Sequence, residues 1–218
     1  MSNLMAIYQR LFNYYGTRNW WPAKTPFEVI IGAILTQNTN WKNVEQALNN
    51  LRLADALTPE IIRRLPTSEL EMLIRPSGFF RQKSERLKLF CQHLKEQHQD
   101  QLDSWLKNDF EQVRNELLSL KGIGPETADS IMLYAGQRLT FVVDAYTCRI
   151  FNRLGLLKGK EKYAEIRNMF MLNVEPDVQV YNEYHALIVI HCKDHCRTKP
   201  LCLGCPLADI CKFVQSSE

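Results

Sequence analysis

An all-α fold is predicted by three features of this sequence. Apolar residues recur three and four positions apart in segment after segment, helix-start signals precede several of these runs, and no stretch alternates convincingly as a strand. The first clear start is Thr25-Pro26-Phe27-Glu28, a capping box with proline at the first helical position, which leads into Phe27, Ile30, Ile31, Ile34 and Leu35. Helical spacing continues at Val44/Ala47/Leu48/Leu51, Ile61/Ile62/Leu65, Leu70/Leu73/Ile74 and Leu87/Phe90/Cys91/Leu94, punctuated by Thr58-Pro59, Thr67-Ser68 and Pro76-Ser77-Gly78. After Val113/Leu117/Leu118 a short break leads to a helix beginning near Pro125. Then come Ile150/Leu154, Ile166/Phe170 and Tyr184/Leu187/Ile188/His191. Roughly ten helices are expected on this pattern.

The chain has 218 residues, 45% hydrophobic and 23% charged, which is enough apolar material for a real core. A net charge of +3 permits a nucleic-acid partner without demanding one, so the functional case rests on local features. The opening MSNLMAIYQRLFNYYG carries no apolar signal stretch, and no run approaches the ~18 apolar residues of a membrane span. A cytoplasmic protein is expected, nucleoid-associated if bacterial. In a reducing compartment its seven cysteines are not disulfide partners, and the crowding of four near the C-terminus suggests a metal. With no repeat or linker, any division is into two packed lobes, where a cleft is a natural active site.

Leu120-Lys121-Gly122-Ile123-Gly124-Pro125 places two glycines one residue apart between helices. Glycines there allow turn geometry and let backbone amides approach an anion, to which the following helix adds its N-terminal partial charge. Such a device holds a phosphate without reading sequence; a plain helix-helix connection is the other reading. The cysteines Cys196, Cys202, Cys205 and Cys211 form C-x5-C-x2-C-x5-C, four thiolates of the kind that hold a [4Fe-4S] cluster. A structural zinc ion is the competing occupant, although its usual knuckles need close cysteine pairs at both ends and only one is present. Cys192 is the alternative first ligand. Cys91, on an apolar helical face, and Cys148 read as packing residues.

The segment LKGIGPETADSIMLYA followed by FVVDAYTCRIFNRLG resembles the helix-hairpin-helix and glycine/proline-rich loop with aspartate of the endonuclease III superfamily. The resemblance implies a six-helix barrel lobe at residues 23–134, a discontinuous cluster-bearing lobe at 1–22 and 135–218, and an active site in the cleft between them. It makes Asp144 the catalytic acid, stabilising positive charge on the sugar as the base departs; Asp144 could equally cap the next helix, or do both. Lys121, Gly122, Ile123, Gly124 and Thr127 become DNA-binding residues of the hairpin. Bifunctional relatives place a Schiff-base lysine where this chain has Glu126. A carboxylate cannot form that imine, so the likeness implies a monofunctional glycosylase that leaves an abasic site. Lys121 is a stand-in nucleophile or a phosphate contact, and Glu126 is either close to the flipped nucleotide or simply an acid favoured in a helix first turn.

The cysteine pattern resembles the iron-sulfur loop that ends many endonuclease III proteins, one residue shorter between its first two ligands. Arg197 and Lys199, inside it, would face the DNA backbone. Trp20-Trp21-Pro22, the segment Leu35-Thr36-Gln37-Asn38-Thr39 with Trp41 after it, Ile74-Arg75-Pro76-Ser77-Gly78-Phe79 and the glutamate after Gly124 together resemble the 3-methyladenine DNA glycosylase III branch. That likeness makes Trp41 a stacking partner for a flipped alkylpurine, with Trp20, Trp21 and Pro22 as pocket wall; ordinary core packing is the other reading of each tryptophan. Gln37 and Asn38 fall where relatives fill the vacated base stack. Phe79 falls where they wedge the opposite strand, or else it is a buried anchor. The best-known enzyme of that branch lacks the cysteine cluster, a departure that bears on substrate. The implied partner is double-stranded DNA carrying a damaged base, bound by a monomer with no membrane involved. The alternatives are a bifunctional glycosylase with lyase activity, a mismatch glycosylase, and a non-catalytic DNA-binding metalloprotein.

Overall fold

The structure is a computed structural model that describes residues 3–18 and 23–216, and within them all regular structure is helical. Two compact units are formed: Met1–Pro22 with Leu139–Glu218, and Ala23–Arg138. Ten helices match the expected spacings. Three more, α1, α7 and α13 below, were not anticipated. The latter two have five and four residues, too short to display a 3.6-residue period, whereas Leu4, Ile7 and Leu11 of α1 are a readable stripe.

The continuous unit contains α2 (Pro26–Thr36), α3 (Trp41–Leu53), α4 (Pro59–Arg64), α5 (Thr67–Ile74), α6 (Phe80–His98), α7 (Leu102–Leu106), α8 (Phe110–Ser119) and α9 (Pro125–Ser130), the last running into wider turns at Ile131–Ala135. Helix α2 is its centre. Every residue from Phe27 to Leu35 is buried, so apolar side chains cover all sides of the helix and α3, α6 and Ile131–Ala135 pack around it. At its start the Thr25 hydroxyl accepts from Glu28 N at 3.1 Å. The Glu28 carboxylate reaches Lys24 N at 3.3 Å, one residue earlier than a capping box requires, and pairs with Arg52 of α3.

The discontinuous unit contains α1 (Asn3–Tyr15), α10 (Ala145–Arg153), α11 (Tyr163–Asn173), α12 (Val178–Asp194) and α13 (Lys212–Gln215). Phe141, Phe151, Phe170 and Tyr184 form an aromatic core, with Phe141 and Phe170 stacked at 3.9 Å. Tyr184 is fully buried and its hydroxyl donates to the Leu4 carbonyl at 2.8 Å, which fixes α1 on α12. No helix is long and apolar enough to cross a membrane.

Candidate functional site

The hairpin joins α8 to α9 through Leu120–Gly124. Gly122 has φ +87°, a backbone state that an L side chain adopts only with strain, and a Cβ there would overlap the Arg86 side chain. Gly124 caps α9 and has open space beside it, while Pro125 takes the first helical position. Beneath the turn, Arg114 of α8 pairs in bidentate fashion with the fully buried Asp129 of α9, at 2.9 and 3.0 Å. The Gln37 amide donates to the Gly122 carbonyl and to Thr127 Oγ1, both at 2.9 Å, and its own oxygen accepts from Arg86. Gln37, half-buried, thus ties the end of α2 to the hairpin, and Thr127 is buried against it. Ile123 is likewise a core residue whose N–H donates to the Leu120 carbonyl. Lys121 is exposed and paired with Glu85 at 2.9 Å.

Phe79 and Asn38 are both exposed. Phe79 is 61% exposed and holds φ +46°, an outlier for an aromatic residue with no glycine freedom. Asn38, exposed, has φ +55°. Strained, exposed residues of this kind gather at functional sites, and here the strain has a visible support. The Lys83 ammonium is fully buried and donates to the carbonyls of Leu35 and Ser77, at 2.8 and 2.7 Å, tying the end of α2 to the turn before Phe79. Burial, with the neighbouring Arg86 charge, pulls its pKa down to about 8. Its spacing from Leu87 and Phe90 puts Lys83 on the apolar face of α6, but the two carbonyls that receive its ammonium could not be read from that spacing.

Asp144 is the N-cap of α10. One carboxylate oxygen accepts from Thr147 N at 2.7 Å and from Thr147 Oγ1 at 2.9 Å; the other lies 3.4 Å from His185 Nε2. Burial alone would raise the carboxyl's pKa, but the His185 hydrogen bond and charge, together with the Thr147 donors, hold it below the ordinary value. Asp144 is therefore an ionised carboxylate in a largely dry setting at neutral pH. His185 escaped the sequence reading because α12 arrives against α10 from far along the chain.

Cys196, Cys202, Cys205 and Cys211 line one cavity of about 20 Å³, together with His191, Arg153, Pro200 and Leu207. Among the described residues, the group of three or more metal-capable side chains whose ligand atoms all lie within 4.8 Å of one another is elsewhere, at His93, His98 and Glu116. A single tetrahedral zinc would hold its sulfurs about 3.8 Å apart. No three of the four sulfurs come within 4.8 Å of one another, a spread that a single zinc does not fit and a multi-iron cluster would. The Cys196 thiol is pushed down by a hydrogen bond from Cys192 and by Arg153, whose guanidinium is 3.3 Å from its sulfur. Cys192, raised by that same pairing and buried, sits outside the cavity lining. Arg153 also donates to the carbonyls of Arg197 and Thr198, shaping the loop. Arg197 and Lys199 are exposed.

Glu126 is exposed in the first turn of α9, and Trp41, half-buried, is the first residue of α3. Trp20, Trp21 and Pro22 lie outside the described residues. Cys91 is a core residue, as expected, and Cys148 is half-buried.

Residues 31–176 match the model of the HhH-GPD superfamily base excision DNA repair proteins, and the chain belongs to that superfamily of DNA glycosylases. It is 50% identical over 95% of both chains to a protein of Methanocaldococcus jannaschii provisionally named a DNA repair glycosylase. Among solved structures it is similar to the 3-methyladenine DNA glycosylase MagIII of Helicobacter pylori bound to 1,N6-ethenoadenine, with a TM-score of 0.78, 30% identity, and 87% of this chain and 97% of that one covered. A non-covalent endonuclease III–DNA complex shares the fold at a TM-score of 0.83 and 22% identity, covering 100% and 99% of the two chains.

Proposed function

We propose that this DNA glycosylase is monofunctional and removes an alkylated purine such as 3-methyladenine from duplex DNA, leaving an abasic site. The observation that carries the reading is Glu126, exposed in the first turn of α9 at the place where bifunctional relatives carry their lysine. No imine can form on a carboxylate. The two lysines nearest in character do not replace the missing amine: Lys121 is ion-paired with Glu85, and Lys83 is fully buried on two carbonyls. Likeness to the MagIII structure supports the alkylpurine substrate, since that protein holds a modified adenine.

In this mechanism the departing base takes the electron pair of the glycosidic bond, and C1′ of the sugar becomes cationic. An alkylated adenine already carries positive charge, so it leaves as a neutral base. Asp144, kept ionised, stabilises the cation and accepts a proton from the water whose oxygen then bonds to C1′. His185 and Thr147 fix the carboxylate's orientation. Phe79 wedges the opposite strand, Asn38 enters the vacated stack, and Trp41 stacks on the extruded base. The hairpin grips the phosphates through Gly122 and Gly124, with Lys121, Arg197 and Lys199 adding positive charge along the backbone. Cys196, Cys202, Cys205 and Cys211 would hold a [4Fe-4S] cluster, which when bound supplies a fixed four-thiolate anchorage for the C-terminal loop.

The test is a panel of single-lesion duplexes carrying 3-methyladenine, 1,N6-ethenoadenine, thymine glycol or a mispaired thymine, incubated with and without subsequent alkali. Release of alkylpurine with strand breakage only after alkali is expected. Asp144→Asn should lower release by about 10²- to 10³-fold while duplex binding persists. Breakage without alkali, a borohydride-trapped adduct, or preferential thymine release would overturn the reading.

A further inference from the structure

Where α6 ends against α8, three side chains converge that base removal does not use. One ring nitrogen of His93, one of His98 and a carboxylate oxygen of Glu116 all lie within 4.8 Å of one another. His98 Nε2 is 2.8 Å from Glu116 Oε2, and His93 Nε2 is 3.5 Å from the same oxygen. A hydrogen bond between His98 and Glu116 would be enough to join the two helices. It leaves His93 unexplained, because His93 Nε2 is buried, points at the group and makes no hydrogen bond within the protein. Buried imidazole nitrogens are usually satisfied, so an unsatisfied one facing a carboxylate and a second imidazole calls for a ligand.

We propose that His93, His98 and Glu116 bind a divalent transition-metal ion of the zinc kind. Two imidazoles and one carboxylate are a zinc ligand set that leaves a fourth position for water. Ligand atoms around a tetrahedral zinc stand about 3.4 Å apart, so the His93–Glu116 spacing needs no change and the His98–Glu116 spacing must open slightly. The three side chains are 14–24% exposed, enough to admit an ion. An outer ring of donors is also in place: Trp105 Nε1 donates to Glu116 Oε2 at 2.9 Å and Gln112 Nε2 to Glu116 Oε1 at 3.2 Å. Such partners orient a ligating carboxylate. Burial works against the charge on Glu116, but His98, Gln112 and Trp105 outweigh it and hold the carboxyl below its ordinary pKa. The ion would clamp α6, which carries Lys83 and Arg86, to α8, the first helix of the hairpin. This site is distinct from the cysteine cavity and does not depend on which base the enzyme removes.

Trp105 makes the site readable, since its ring stacks on His98 at 4.8 Å and lies 5.8 Å from His93. Full-length protein with its native iron content is titrated with ZnCl2 by calorimetry and with NiCl2 by tryptophan fluorescence, as wild type and as His93→Gln, which removes no hydrogen bond at Nε2. The expected result is one zinc per chain bound at least tenfold more tightly by wild type, with nickel quenching that His93→Gln abolishes. A melting temperature raised by zinc in wild type is an arm that needs no variant. Equal zinc affinity in the two proteins, which would place any uptake elsewhere, overturns the proposal. So does a wild-type melting temperature that zinc leaves unchanged.

Discussion

The turn at Lys121–Gly124 and the loop from Cys196 to Cys211 each follow a helix and each contain a glycine at positive φ, Gly122 at +87° and Gly204 at +74°. Their support differs in kind. The hairpin is closed by the protein alone: Arg114–Asp129 joins its two helices, Gln37 and Arg86 fill the space beneath it, and Glu85 pairs with its lysine. The cysteine loop is tied near its two ends. Arg153 holds its first carbonyls and Arg10 pairs with Asp209, while its four thiols line a common cavity and Leu203 at its tip is 98% exposed. A surface that must meet a different stretch of DNA at every encounter gains from being complete before binding. On the proposed reading, the loop's interior would be completed by the cluster that its four thiols hold.

The difference can be broken most sharply at the cysteines. Cys202→Ser should strip iron from the purified protein and make the segment after His195 cleavable in limited proteolysis, with fragments beginning beyond Cys196. Residues 23–138 should stay protected; cleavage confined to that unit would contradict the contrast. A smaller effect is expected at the hairpin. Gly122→Val adds a branched side chain at φ +87° and displaces Arg86 from Gln37, which should cost ~1–3 kcal/mol in denaturant unfolding and weaken binding to undamaged duplex. Iron content should stay at the wild-type level. Smallest is an acid effect at Asp144. Its folded pKa lies below the ordinary carboxylate value, so its contribution to stability is complete above the unfolded pKa of about 3.9 and is lost as pH falls through the folded one. Urea midpoints for wild type and Asp144→Asn should therefore converge only below about pH 4. Convergence already at pH 6 would show that the carboxylate is not held ionised.

What could be read in the sequence shares one property: it is local. The glycine at Gly122 announces a turn because only glycine takes that φ freely, and Asp144 followed three residues later by Thr147 is a cap that any helix start could use. Phe79 was marked out by the family resemblance of Ile74–Phe79 alone, and its left-handed backbone was not legible. The bonds from Gln37 to Gly122 and Thr127, and from Arg86 to Gln37, were not legible, because no spacing around position 37 reveals those partners. His185, Lys83 and Asp129 went unnoticed for the same reason. Each looks like an ordinary polar residue on its helix until the facing helix is known.

The sequence by itself therefore determined the all-helical class, the hairpin with its glycine, the aspartate at the head of α10, the absence of a lysine at position 126, and the gathering of thiols near the C-terminus. Helical period, capping and turn chemistry depend on neighbours a few residues apart, so these features survive in one dimension. Tertiary structure alone decided that Gln37 bonds to Gly122 and to Thr127, that a buried lysine ties α2 to the Phe79 turn, that His185 meets Asp144, and that His93, His98 and Glu116 converge. Those outcomes depend on how helices cross and in what register their side chains interlock, a property of pairs of segments that neither segment's sequence carries alone.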